Sequence, residues 1–214
     1  MVTTSGNGTR RGRPRSEETR LAILHATSEL LLERGLHAVG VEEVVARAGA
    51  SKATIYRWWP SKELLALDAV YAEWDATRHG ECDTGSLRGD LLELIRPWVR
   101  LLRRRPFGRV IAAFLAEAQH DPKFATIYRD RFLEPRRQQA RKIFARAVAR
   151  GEIPASTDLE VAVDLLYGPL YHRLLHGHAD LDDRFAELVI DCVLASITQG
   201  AAASATGEDT ARGA

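Results

Sequence analysis

The stretch Ser51 to Leu65 reads SKATIYRWWPSKELL and holds the residues best suited to meeting a charged partner. Lys52, Arg57 and Lys62 are cations, Thr54 and Tyr56 carry hydroxyls, and Trp58 and Trp59 stand side by side. Cationic side chains suit phosphate oxygens, and aromatic faces suit sugar edges and bases. Successive helical residues point about 100° apart, so Tyr56, Arg57, Trp58 and Trp59 cannot all face a core. A blander arrangement stays open at this point, with both tryptophans inside and the lysines merely solvated.

Other chemistry is thinly represented. His172, His176 and His178 contain the i, i+4 spacing of a metal pair. No glutamate lies between them and no cysteine is near, so neither a metal nor a cofactor is expected. No nucleophile and base set, glycine-rich phosphate loop or paired-carboxylate motif is evident, and no enzymatic activity is expected. Cys82 and Cys192 are far apart in the chain, which argues against a disulfide framework or structural zinc and for a reducing interior. Residues 1–9 lack the apolar run of a secretory leader, and no stretch of about 18 apolar residues could cross a membrane. A cytoplasmic protein with no membrane partner is expected.

Charge is unevenly distributed. The 214 residues carry a formal net charge of only +1, yet residues 1–62 hold ten Lys or Arg against six Asp or Glu. The remainder is net acidic, with twenty against twenty-three. A basic N-terminal third points to nucleic acid. Its leader, Thr9-Arg10-Arg11-Gly12-Arg13-Pro14-Arg15, is read as a disordered basic arm over residues 1–15. Arg11 and Arg13 suit insertion into a minor groove, or a solvated leader that raises only non-specific affinity.

The elements that must position these residues are helical throughout, because period-two patterns are absent and breakers fall at helical spacing. Ser16 is expected to cap a first helix whose inner stripe is Ile23, Leu24, Thr27, Leu30 and Leu31, ended by Gly35. Val41 to Ala48 forms a short second helix. Gly49 breaks it, and Ser51 caps a third that Pro60 stops after about Trp58. Ser61 caps a fourth running through Leu64, Leu67, Val70, Tyr71 and Trp74. Beyond Gly85, helices are expected over 87–105, 107–119, 122–150, 159–176 and 184–198, about nine in all. Pro97 and Pro135 should kink their helices, and Thr157 with Glu160 fits a capping box. Gly200 to Ala214 reads as a disordered tail.

Two short helices joined through Ala48-Gly49-Ala50 fit a helix-turn-helix, whose second helix enters the major groove by its N-terminal residues. Lys52, Ala53 and Thr54 then reach base edges, and Tyr56, Arg57 and Trp58 meet backbone and groove wall. Lys62 offers an ammonium and a helix N-terminus to a phosphate. Ile55 and Trp59, four apart, turn inward.

Residues 16–65, with "GVEEVVARAGASKATIY" followed by "PSKELL", resemble the DNA-binding domain of the TetR family of tetracycline-repressor-like regulators. The resemblance implies an all-α homodimer with a three-helix DNA-binding domain over residues 16–62 and an effector-binding, dimerising domain over 63–199. It also implies that Lys52, Ala53, Thr54, Tyr56 and Lys62 contact a double-stranded, palindromic operator. Gly40 stands where the family usually has Thr or Ser as a helix cap, and Trp58 where it often has His or Tyr.

Arg146 to Leu175 resembles the C-terminal domain of one TetR subfamily. Trp98, Phe114, Phe132, Tyr167, Tyr171 and His172 are the residues expected to line a pocket for a small, mainly apolar effector. Taken singly, each of them is better read as filling a core; it is as a set that they suggest a pocket. Phe185, Val189, Val193 and Ile197, with Leu188 and Cys192, form an apolar stripe on the last helix and are expected at the dimer interface. The function expected is a DNA-binding transcriptional regulator, a repressor released by its ligand. The competing class is an all-helical enzyme or small-molecule carrier with a structural N-terminal module.

Overall fold

The computed structural model describes residues 12–76 and 82–211, with side chains described for 16–76, 82–104 and 106–197. Among these residues the chain is all-α, with nine helices and no strand when 122–149 is taken as one helix. They are α1 (Gly12–Arg34), α2 (Val41–Ala48), α3 (Lys52–Trp58), α4 (Lys62–Asp75), α5 (Leu87–Arg103), α6 (Arg105–His120), α7 (122–149), α8 (Leu159–His176) and α9 (Asp183–Ala211). No helix of the described residues is long and apolar enough to cross a membrane. The chain divides into two compact units, residues 1–73 and 74–214.

In the first unit the expected stripe of α1 is buried in full, from Ile23 and Leu24 to Leu30 and Leu31. Thr27 is buried with it and satisfies its hydroxyl on the Ile23 carbonyl at 2.7 Å. Val41 and Val44, three residues apart on one face of α2, close on this stripe, while Val45 and Ala48 are half-buried. Gly49 ends α2 in the left-handed region at φ 61°, which a residue with a Cβ seldom adopts. Ser51 then caps α3 by accepting from the Thr54 N–H at 3.1 Å, and Ser61 caps α4 through the Leu64 N–H at 3.2 Å. Leu65, Ala66, Leu67, Ala69 and Val70 are buried, so most of α4 belongs to the first unit rather than opening the second at residue 63.

The second unit is built on α5, which packs against α6, α7 and α9. Three cross-helix pairs fix α5 antiparallel to α9: Arg88 with Asp191, Arg96 with Glu187, and Arg100 with Asp183. Being solvent-exposed, they set register more than they stabilise. Asp90, also on α5, is fully buried. It accepts from the Thr84 N–H and hydroxyl at 2.6 and 2.8 Å, and from Arg146 and Arg150 at 3.3 Å each.

Several boundaries differ from expectation. α1 begins at Gly12, so Ser16 lies inside the helix; Pro14 is tolerated because first-turn residues need no N–H donor. α9 continues to Ala211 through the stretch read as a tail, whose alanines favour helix. Asp158, not Thr157, caps α8, accepting from Glu160 and Val161 at 3.0 and 3.1 Å, while the Thr157 hydroxyl turns back to the Pro154 carbonyl. α5 runs on through Pro97 without interruption. Pro135 does disturb α7, which comprises Pro122–Tyr128, a π-helical turn Arg129–Leu133, and Glu134–Ala149. Proline lacks an N–H and crowds the carbonyl four residues back, and the wider π turn relieves that crowding.

Candidate functional site

α3 sorts its residues by face, as helical geometry requires. Ile55 is buried and Trp59, the C-cap, is 2% exposed, whereas Tyr56 is 50% and Trp58 39% exposed. Lys52, Ala53 and Arg57 are exposed and Thr54 is half-buried. The Trp59 indole N–H donates to the Asp68 carboxylate at 2.9 Å, anchoring the end of α3 to α4. The arrangement with both tryptophans in the core is therefore wrong for Trp58. Its ring stands 6.3 Å from Trp59 and 6.0 Å from the Arg57 guanidinium, on the outer face. Lys62 is exposed at the first residue of α4.

This outward face is not purely cationic. Lys52 pairs with Glu42 of α2, and the Glu42 carboxyl holds below its usual range through that bond. Glu43 pairs with Arg34, and its carboxylate also accepts from the Gly40 N–H at 3.4 Å. That contact is only half of a capping box, since glycine has no side chain to return a bond. Arg11 lies outside the described residues, as does the side chain of Arg13.

In the second unit, part of the expected ligand set comes together around a residue the sequence reading missed. Trp98, Phe132, Tyr167 and Tyr171 surround Arg136, which is 1% exposed. Phe114 is buried but sits at the far end of a row of rings. Phe114 and Phe124 are 5.9 Å apart, Phe124 and Tyr128 6.4 Å, and Tyr128 and Phe132 5.4 Å. Burial pushes the Tyr128 and Tyr167 phenols above their usual range. His172 does not join this cluster. Five residues beyond Tyr167 it points to another face of α8, where it is exposed and meets the rings of His176 and His178 at 4.6 and 5.1 Å. Among the described residues no group of side chains has the arrangement of a metal site. Arg136 did leave a signal in the sequence: Phe132, Arg136, Ala140, Ile143, Phe144 and Ala147 form the inward stripe of α7, with one cation in it.

The stripe on α9 also divides. Val189 and Val193 are buried within the protomer, and Phe185 and Ile197 are half-buried. What is exposed is Leu188 at 51% and Leu165 of α8 at 44%. Together with Phe185, Cys192 and the remaining accessible edges of Val189 and Val193 they line an apolar groove of about 450 Å³ between α8 and α9.

Known proteins match both units. Residues 23–69 fit the family described as bacterial regulatory proteins, tetR family, and residues 81–193 fit the tetracyclin repressor-like C-terminal domain. The uncharacterized HTH-type transcriptional regulator YdeS of Bacillus subtilis is 39% identical over 92% of this chain and 97% of its own length. The DNA-binding transcriptional repressor TetR of Mycobacteroides abscessus is 32% identical over 87% of this chain and 98% of its own. The crystal structure of the TetR family regulator SCO0332 superposes with a TM-score of 0.73 at 38% identity, covering 83% of this chain and 97% of that one. With both units matched and α3 turned outward over a buried Ile55 and Trp59, this chain belongs to the TetR family of DNA-binding transcriptional regulators.

Proposed function

We propose that this protein is a homodimeric repressor that leaves a palindromic operator when a small, mainly apolar ligand binds its second unit. The observation that carries the reading is the two-sided α3, with Ile55 and Trp59 buried and Tyr56, Arg57 and Trp58 free to face a groove. Lys52, Ala53 and Thr54 then meet base edges, Tyr56, Arg57 and Trp58 meet the groove wall, and Lys62 meets a phosphate at the head of α4. Arg11 and Arg13 extend the footprint into the minor groove. Two such helices a DNA turn apart require a dimer, and the exposed Leu165, Leu188 and Cys192 face supplies an apolar surface for one.

Ligand is coupled to DNA through α4, which opens at Lys62 and ends at Asp75, roughly 20 Å along its axis. A ligand that prefers an arrangement with the recognition helices off the spacing of about 34–36 Å lowers operator affinity. Gel shifts across a salt series, on the DNA flanking the protein's own gene and on unrelated DNA, test the reading. A retarded complex that survives excess unrelated DNA is expected. Equal retention of both DNAs would overturn sequence-specific regulation.

A further inference from the structure

Arg136 is the one charged side chain in the inward stripe of α7, and its surroundings are aromatic on every described side. Its guanidinium carbon lies 3.6 Å from the Trp98 ring centre, 4.9 Å from Tyr167, 5.3 Å from Phe132, 5.4 Å from Trp74 and 6.0 Å from Tyr171. Ring faces attract a cation and recover part of what burial costs it. They do not satisfy its N–H groups. Nη1 donates to the Tyr171 hydroxyl at 2.6 Å, whereas Nε and Nη2 are buried and have no hydrogen-bond partner. Burial alone would lower its basicity, but the nearby phenol oxygens outweigh that and the group stays charged. Among the described residues no carboxylate pairs with it.

Two details of this orphaned charge are chemically specific. Nε and Nη2 share one edge of the guanidinium, the edge that takes a carboxylate through two parallel hydrogen bonds. The Trp98 Nε1 is also buried without a hydrogen-bond partner, and an indole N–H can only donate. A positive site furnished with spare donors complements a group that only accepts and carries a negative charge. An ionised carboxylate is such a group.

Resting on the reading of the second unit as an effector domain, we propose that Arg136 is the anchor of the effector site and that the effector is an aromatic monocarboxylate. Its anion takes the Nε and Nη2 edge, and its apolar body lies along the ring row Phe132, Tyr128, Phe124. One unpaired guanidinium balances one negative charge. Tyr171, half-buried on α8, is the wall of the box that reaches solvent, so the acid enters by turning it aside. The π turn Arg129–Leu133, one residue short of Pro135 and Arg136, is the segment of α7 that can rewind when Phe132 shifts.

The experiment uses the full chain and a set of probes: benzoate, 1-naphthoate and 1-naphthylacetate, each beside its own carboxamide. Thermal shift and titration calorimetry should show at least one acid binding about tenfold or more tightly than its amide, because charge-assisted hydrogen bonds are the strong ones. Arg136→Gln should weaken that acid about tenfold or more and leave the amide unchanged. If Arg136→Gln does not fold, Arg136→Lys takes its place, keeping the charge but not the two-donor edge, and a several-fold loss is expected. Acids that bind no better than their amides, or that bind these variants as tightly as the parent chain, overturn the proposal and leave Arg136 a structural cation. Gel shifts without acid separate the two failures: operator binding with no response to acids sinks only this inference, and no operator binding sinks the regulatory reading itself.

Discussion

The Trp59 indole donates to the Asp68 carboxylate at 2.9 Å, and through this bond the residue that caps the C-terminus of α3 is held to the second turn of α4. Ile55, one turn earlier, is buried on the same side, so α3 is clamped at two points while its opposite face stays open. Asp68→Ala leaves the Trp59 N–H without an acceptor, which costs about 1 kcal/mol. A melting temperature lower by about 2–4 °C is expected, together with weaker operator binding because α3 is less firmly aimed. Asp68→Asn keeps an acceptor and should behave nearly as the parent chain. Equal DNA affinity in both variants would show that the anchor does not preorganise the helix.

Lys52 is occupied by Glu42 in the absence of DNA. To reach a base edge it must leave a carboxylate that itself repels phosphate. Glu42→Gln should therefore raise operator affinity by about threefold at low salt, with the gain shrinking as salt screens it. Fluorescence anisotropy at two ionic strengths checks this. An unchanged affinity at low salt would place Glu42 away from the duplex.

Lys62, exposed at the start of α4, is expected on a phosphate. Lys62→Ala should weaken specific and unrelated DNA alike and lower the slope of log affinity against log salt by about one unit. A loss confined to the operator would reassign Lys62 to base reading.

Leu188 and Val193 lie on one helix but do different work. Leu188→Glu introduces a charge on the exposed apolar face and should give folded monomers in sedimentation, with operator binding lost. Val193→Glu buries a charge inside the protomer and should unfold the second unit instead. A dimeric Leu188→Glu would move the interface off this face.

Burial pushes the Asp90 carboxyl up, but the bonds from Thr84, Arg146 and Arg150 outweigh it and hold the group below the ordinary carboxylate range. The folded state therefore binds this proton less readily than the unfolded chain. Its contribution is complete above the unfolded value, about 3.9, and is lost as pH falls below that toward the folded value. The melting temperature should drop steeply below about pH 4, and Asp90→Asn, already less stable at pH 7, should show a flatter profile there. Parallel profiles for the two proteins would mean another group governs acid unfolding.

By itself the sequence determined the helix order, the turn at Gly49, the caps at Ser51 and Ser61, and the two faces of α3. Those features are local: a left-handed glycine, a hydroxyl three residues before an N–H, and a spacing of four between Ile55 and Trp59 need no distant partner. Thr157 misled because Asp158, one residue later, competes for the same N–H groups and holds the charge that suits a helix N-terminus. The tertiary structure alone decided which aromatics meet. Periodicity put Tyr167 and Tyr171 on one face of α8, but that face had to close on α7, which itself packs against α5, before Trp98 and Phe132 met them around Arg136 and His172 was left outside. It likewise buried Val189 and Val193 in the protomer and left Leu188 exposed, a division a stripe of apolar residues cannot show. Arg136 is the sharpest case, because a cation in an apolar stripe reads as an interruption until packing surrounds it with rings and leaves two of its donors unmet.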